Sequence, residues 1–87
     1  MAETREHKIK RLHMRSIRRG IKEMDLILTV FAQERLPQLE DAALDLYDSL
    51  QDESDHDLYQ WVTGQVAAPA HFAAMIEDIR TVYTPQV

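Results

Sequence analysis

Apolar residues return along this chain at three- and four-residue intervals, the spacing of one face of an α-helix, in five separate segments. Ile9, Leu12, Ser16 and Ile17 form a narrow stripe, predicting a first helix from about Glu6 to Arg18. Ile21, Met24, Ile27, Leu28 and Phe31 predict a second from Ile21 to Arg35, ended by Pro37 because the residue before a proline avoids the α region. A third helix is expected over Asp41–Gln51, with Ala43, Leu46, Tyr47 and Leu50 facing inward and Asp41, Asp45, Asp48 and Asp52 outward. A fourth starts after Ser54 or Asp55, buries Leu58, Trp61 and Val62, and stops at Gly64. A fifth opens near Pro69, a favoured first-turn residue, and runs through Phe72, Met75, Ile76 and Ile79 to Val82 or Tyr83. With two glycines, three prolines and short connections in 87 residues, the fold class is all-α: a compact five-helix bundle in which residues 1–87 form a single helical domain.

Charge changes the picture more than overall composition does. The net charge of −5 divides into eight basic and two acidic residues in Met1–Lys22 (+6), and two basic and thirteen acidic residues in Glu23–Val87 (−11). Either the basic first helix meets a partner, or it neutralises the acidic body within the fold. The absence of cysteine removes disulfides, thiolate metal sites and cysteine nucleophiles, and fits a reducing compartment. No apolar run approaches the roughly 20 residues that span a bilayer, so direct membrane insertion is not expected. The basic N-terminal segment lacks an apolar core and carries Glu3 and Glu6, unlike a secretory or acid-poor mitochondrial leader. The expected setting is the bacterial cytoplasm.

Catalytic chemistry has little to stand on. His7, His13, His56 and His71 never fall three or four residues apart, so no helix face presents two imidazoles to a metal. Ser16, Ser49 and Ser54 have neither a neighbouring base nor a strained turn, and isolated Gly20 and Gly64 make no phosphate loop. The chain reads as a protein that binds another protein, and not as an enzyme.

Two short segments carry more information. In Arg18-Arg19-Gly20-Ile21-Lys22-Glu23-Met24-Asp25 a bare glycine between opposite charges exposes backbone to close approach, with charged hydrogen-bonding groups on either side. Gly20 is also the expected break between the first two helices, beyond a C-terminus where positive φ is common. If Gly20 is an N-cap, Glu23 at N3 accepts from its amide. In Asp55-His56-Asp57-Leu58-Tyr59-Gln60-Trp61 the first residues belong to a helix start after Ser54, Trp61 belongs to the core, and Tyr59 is partly exposed.

The order and spacing of these segments resemble the succinate dehydrogenase assembly factor 2 family, the FAD assembly factors known in bacteria as SdhE. The resemblance runs from Ile9 to Val82 and rests on an Arg-Gly-x-x-Glu motif at Arg19-Gly20-Ile21-Lys22-Glu23, followed by Asp25-Leu26. It rests also on Asp-x-Asp-Leu-Tyr-x-Trp at Asp55–Trp61, closed by Gly64. The resemblance implies a five-helix chaperone that binds the flavoprotein subunit of succinate dehydrogenase or fumarate reductase and promotes covalent attachment of FAD to it. The flavin belongs to the client, so no cofactor is expected on this chain. The implied partner-binding residues are Arg18, Arg19, Gly20, Glu23 and Asp25, with Asp57 from the second segment; a monomer is expected. The third helix opens with Glu40 where Ser or Thr is common in the family. The competing readings are a nucleic-acid binder or antitoxin-like adaptor using the basic first helix, and a direct FAD carrier.

Overall fold

Thr4 starts the chain's first helix: its side chain accepts a hydrogen bond from the His7 backbone amide at 3.1 Å, a local N-cap. In the computed structural model, which describes residues 3–17 and 20–82, five α-helices follow one another. They are α1 (Arg5–Ser16), α2 (Lys22–Arg35), α3 (Asp41–Leu50), α4 (Asp55–Thr63) and α5 (Ala73–Val82), with a 3₁₀ turn at Leu36–Gln38 between α2 and α3. No strand occurs among the described residues. The bundle predicted from periodicity is therefore observed. The expected end of the first helix at Arg18 and the residues beyond Val82 lie outside the described residues.

Local chemistry sets most boundaries. Ser54 caps α4 by accepting from the Asp57 amide at 3.1 Å, and Gly64 ends it with φ 82°, in the left-handed region. Glu40 caps α3 through its backbone position alone, with no side-chain hydrogen bond. Two boundaries differ from expectation. The second helix has its N-cap at Ile21, not Gly20, which moves Glu23 from N3 to N2. The fifth helix begins at Ala73; the stretch from Pro69 instead makes a turn in which the Phe72 amide donates to Pro69 O and the Ala73 amide to Ala70 O.

One core joins all five helices. Leu12, Met24, Leu28, Phe31, Leu36, Leu44, Tyr47, Leu50, Leu58 and Ile79 have no accessible surface, and Phe72, Met75 and Ile76 close the side formed by α5. Each such side chain contributes about 1.5–3 kcal/mol relative to remaining exposed. Leu44 is a correction to the predicted face of the third helix. It is fully buried, whereas Ala43 and Leu46 are half-buried, because α1 lies along the acidic side of α3 and turns the covered arc toward it. Ser16 holds its place in the apolar stripe of α1 by satisfying its hydroxyl: it donates to Leu12 O at 2.8 Å and shares a 2.6 Å bond with the Tyr47 hydroxyl. The Tyr47 ring packs on Phe31 with centroids 5.3 Å apart.

The acids of α3 are the counter-ions of α1. Arg5 pairs with Asp41, Lys8 with Asp45, Arg11 with Asp48, and Arg15 with both Asp48 and Asp52. Partners are separated by 36 or 37 residues, except Arg15–Asp48 at 33, so the two helices run side by side in the same direction. Asp48 is the hub. Both its oxygens accept from the Arg11 fork, at 3.1 and 3.0 Å, and Oδ1 also accepts from Arg15 at 2.9 Å. These bonds, from Arg11 first, hold its carboxyl below the usual carboxylate range against the opposing effect of partial burial. The Arg11 bond likewise lowers Glu3. Of the two meanings of the charge asymmetry, internal neutralisation is observed for these four cations.

Candidate partner-binding site

The Gly20 corner sits just before α2, whose N-cap residue makes no side-chain hydrogen bond. Ile21, the N-cap, has an extended backbone and no side chain able to satisfy the first amides of the helix. Just ahead of this cap, the exposed Gly20 amide donates to Oδ2 of Asp55, the first residue of α4, 35 residues away. Sequence reasoning assigned that amide to Glu23, which the Ile21 cap moves out of the required N3 position. The Asp55 interaction had no local signal, since Asp55 read only as part of a helix start. A Cβ at position 20 would lie 2.9 Å from Asp55 Oδ2, so a side chain there fits only if the Asp55 carboxylate shifts.

The predicted site residues are distributed around this junction. Arg18 and Arg19 lie outside the described residues. Glu23 is exposed on the first turn of α2, and among the described residues no hydrogen bond or ion pair involves its carboxylate. Asp25 lies on a different side of α2, half-buried, and accepts from the Thr29 hydroxyl one turn along at 3.3 Å. Asp57 is half-buried at the third position of α4; its amide serves the Ser54 cap, and the carboxylate that reaches Gly20 is that of Asp55. Thus the structure joins the two sequence segments, through a residue that was quoted in the second motif but not assigned to the site.

Beside Glu23, α2 shows two apolar side chains to solvent, Leu26 at 59% exposure and Val30 at 36%. Glu23, Leu26 and Val30 fall at i, i+3 and i+7, which puts them on one face. Leu26 was read from the sequence only as the residue after Asp25; its exposure was not foreseen. A cavity of about 260 Å³ opens between α4 and α5, lined by Trp61, Gly64, Val66, Ile76, Glu77 and Arg80 among others, and by none of Gly20, Glu23, Asp25 or Asp57. Trp61 is otherwise core, with its ring 6.1 Å from Phe72, and Tyr59 is half-buried.

Chemically, the corner offers an exposed carboxylate, a short stretch of exposed backbone and two apolar side chains. Among the described residues no group of three or more His, Cys, Asp or Glu side chains is placed to hold a metal ion, and no helix is long and apolar enough to cross a membrane. The nucleic-acid reading loses its basis in α1, because Arg5, Lys8, Arg11 and Arg15 are already matched by carboxylates of α3 that would repel phosphates.

The chain is similar to known proteins along most of its length. The family model described as the flavinator of succinate dehydrogenase matches residues 10–83, both sequence segments included. Three fungal proteins named succinate dehydrogenase assembly factor 2, mitochondrial, are similar over most of this chain. The one from Mycosarcoma maydis is 44% identical over 72 residues, covering 83% of this chain and 30% of its own length. That from Meyerozyma guilliermondii is 52% identical over 61 residues, covering 70% and 45%. That from Schizosaccharomyces japonicus is 43% identical over 72 residues, covering 80% and 50%. The chain thus spans half or less of the length of these relatives. With the family model matched across 10–83 and the Gly20 and Asp55 segments inside that match, the chain belongs to the family of succinate dehydrogenase flavinators, non-catalytic assembly factors.

Proposed function

We propose that this protein binds the flavoprotein subunit of succinate dehydrogenase or fumarate reductase, as a monomer, and promotes covalent attachment of FAD to it. The observation that carries the reading is the family match across residues 10–83, which includes the Gly20–Glu23 corner. The exposed Glu23 carboxylate, the open Gly20 backbone and the neighbouring Leu26 support a contact at this corner, with Arg18 and Arg19 beside it in sequence. Asp25 and Asp57 belong to the same contact in this reading, as flanking carboxylates.

The bond that forms joins client and cofactor, so this chain needs no catalytic side chain of its own. Its contribution is to favour the client conformation in which the attacking residue and the flavin are aligned. Fixing two reacting groups in line is worth several powers of ten in rate, each about 1.4 kcal/mol. This reading places the protein in the bacterial cytoplasm, whereas the matched relatives are named mitochondrial. Fractionation of source cells should recover the protein with the cytosol, and recovery in a mitochondrial matrix fraction would overturn that placement.

The functional test uses purified apo-flavoprotein, FAD and this protein, with covalent flavin read by its fluorescence after denaturing electrophoresis. Wild type should speed attachment, and Glu23→Ala should slow it without lowering the melting temperature. A wild-type protein that neither binds the apo-subunit nor speeds attachment refutes the proposal.

A further inference from the structure

We propose that Asp55 is a positioning residue for the client contact: its carboxylate, projecting from the start of α4, holds the Gly20 amide and so fixes the backbone from which α2 departs. This rests on the functional reading given above and assigns the second sequence segment a role inside it.

Four observations converge. The Gly20 amide donates to Asp55 Oδ2, a direct bond between segments 35 residues apart. The N-cap Ile21 makes no side-chain hydrogen bond, and the bond that holds the backbone just ahead of it, at Gly20, comes from another helix. That helix is a firm support: Ser54 caps it, and Leu58, Trp61 and Val62 anchor it in the core. Finally, a Cβ at position 20 would meet Asp55 Oδ2 at 2.9 Å. A side chain there fits only if the Asp55 carboxylate shifts, which moves the acceptor away from the amide it serves. A glutamate at position 55 carries its carboxylate one methylene further out and overruns the same amide.

The consequence is a division of labour. Glu23 stands on the first turn of α2, three residues beyond the clamped amide, so the direction in which α2 leaves the turn decides where its carboxylate is presented. Asp55 touches no client atom in this account; it acts through Gly20. An ionised carboxylate suits the position twice over, as acceptor of a charge-assisted hydrogen bond and as an anion at the N-terminus of α4.

The experiment compares wild type, Asp55→Ala, Asp55→Asn and Gly20→Ala by amide hydrogen exchange at position 20, by melting temperature and by the rate of flavin attachment to the purified apo-subunit. In wild type the Gly20 amide should be protected. Asp55→Ala should raise its exchange at least tenfold and slow attachment by a similar factor. Asp55→Asn keeps an oxygen acceptor and should restore most of both. Gly20→Ala should reproduce the loss with Asp55 intact, and Asp55→Ala added to Gly20→Ala should lower the rate little further. Two outcomes overturn the proposal: a Gly20 amide that exchanges at the free-loop rate in wild type, or wild-type attachment rates in Asp55→Ala despite an exposed amide. A melting temperature lowered equally in Asp55→Ala and Asp55→Asn, with equal rate loss, overturns it too, because the effect then belongs to stability and not to the hydrogen bond. If wild type itself fails to speed attachment, the functional reading falls, while protection at Gly20 still reports on the clamp.

Discussion

Replacing Asp48 by Asn tests whether the contact between α1 and α3 is held by charge. Asp48 accepts three hydrogen bonds from two guanidinium groups, and 30% of its side chain remains exposed. A hydrogen bond to a charged group contributes about 1.5–3 kcal/mol when shielded, and an exposed ion pair only about 0.2–1 kcal/mol. Asn keeps one carbonyl acceptor and the same volume. The net loss for this half-shielded hub should therefore be about 1–2 kcal/mol at neutral pH. For a domain of this size that lowers the melting temperature by about 5–15 °C. The pH dependence gives the sharper test. Asp48 titrates below its ordinary value of 3.8 in the folded protein, because the Arg11 fork, then Arg15, favours the ionised form. Its folded value is depressed, so its stabilisation is complete above 3.8 and disappears as the pH falls through the folded value. Urea denaturation of wild type and Asp48→Asn should thus show a gap at pH 7 that closes toward pH 2, and that narrows in 1 M salt as the exposed part is screened. A gap unchanged between pH 7 and pH 2, or none at pH 7, refutes an ionic origin for this contact.

Two further substitutions separate backbone, stability and binding effects. Gly64→Ala meets ordinary space, with the added Cβ 3.7 Å from the Arg80 guanidinium, so its cost of about 1–2 kcal/mol should be purely that of a left-handed residue; an unchanged urea midpoint would show that α4 ends differently. Leu26→Ser removes an exposed side chain and should shift stability by less than about 0.5 kcal/mol while weakening capture of the apo-flavoprotein about tenfold in a binding titration; equal affinity would remove Leu26 from the contact surface.

The local rules governing this chain were legible in its residues. Five apolar stripes at helical spacing, the Ser54 cap, the Gly64 stop and the buried Trp61 all depend on neighbours within one or two turns, and all are present in the structure. Even the weak opening of α3 at Glu40 could be read, because a cap is a local hydrogen bond. The corner around Gly20 was recognisable as a motif for the same reason. What required the tertiary structure was every relation across the bundle. The charge asymmetry had two meanings until α1 was set beside α3 at an offset of 36–37 residues, matching Arg5, Lys8, Arg11 and Arg15 with acids. The same contact rotated the covered face of α3 toward Leu44, which helical periodicity alone could not orient. Gly20 read as a break between helices, or as an N-cap whose amide Glu23 accepts from, until α4 brought Asp55 to that amide. Periodicity tells each helix which side is apolar; only packing tells it which neighbour covers that side, and which distant carboxylate reaches the Gly20 amide.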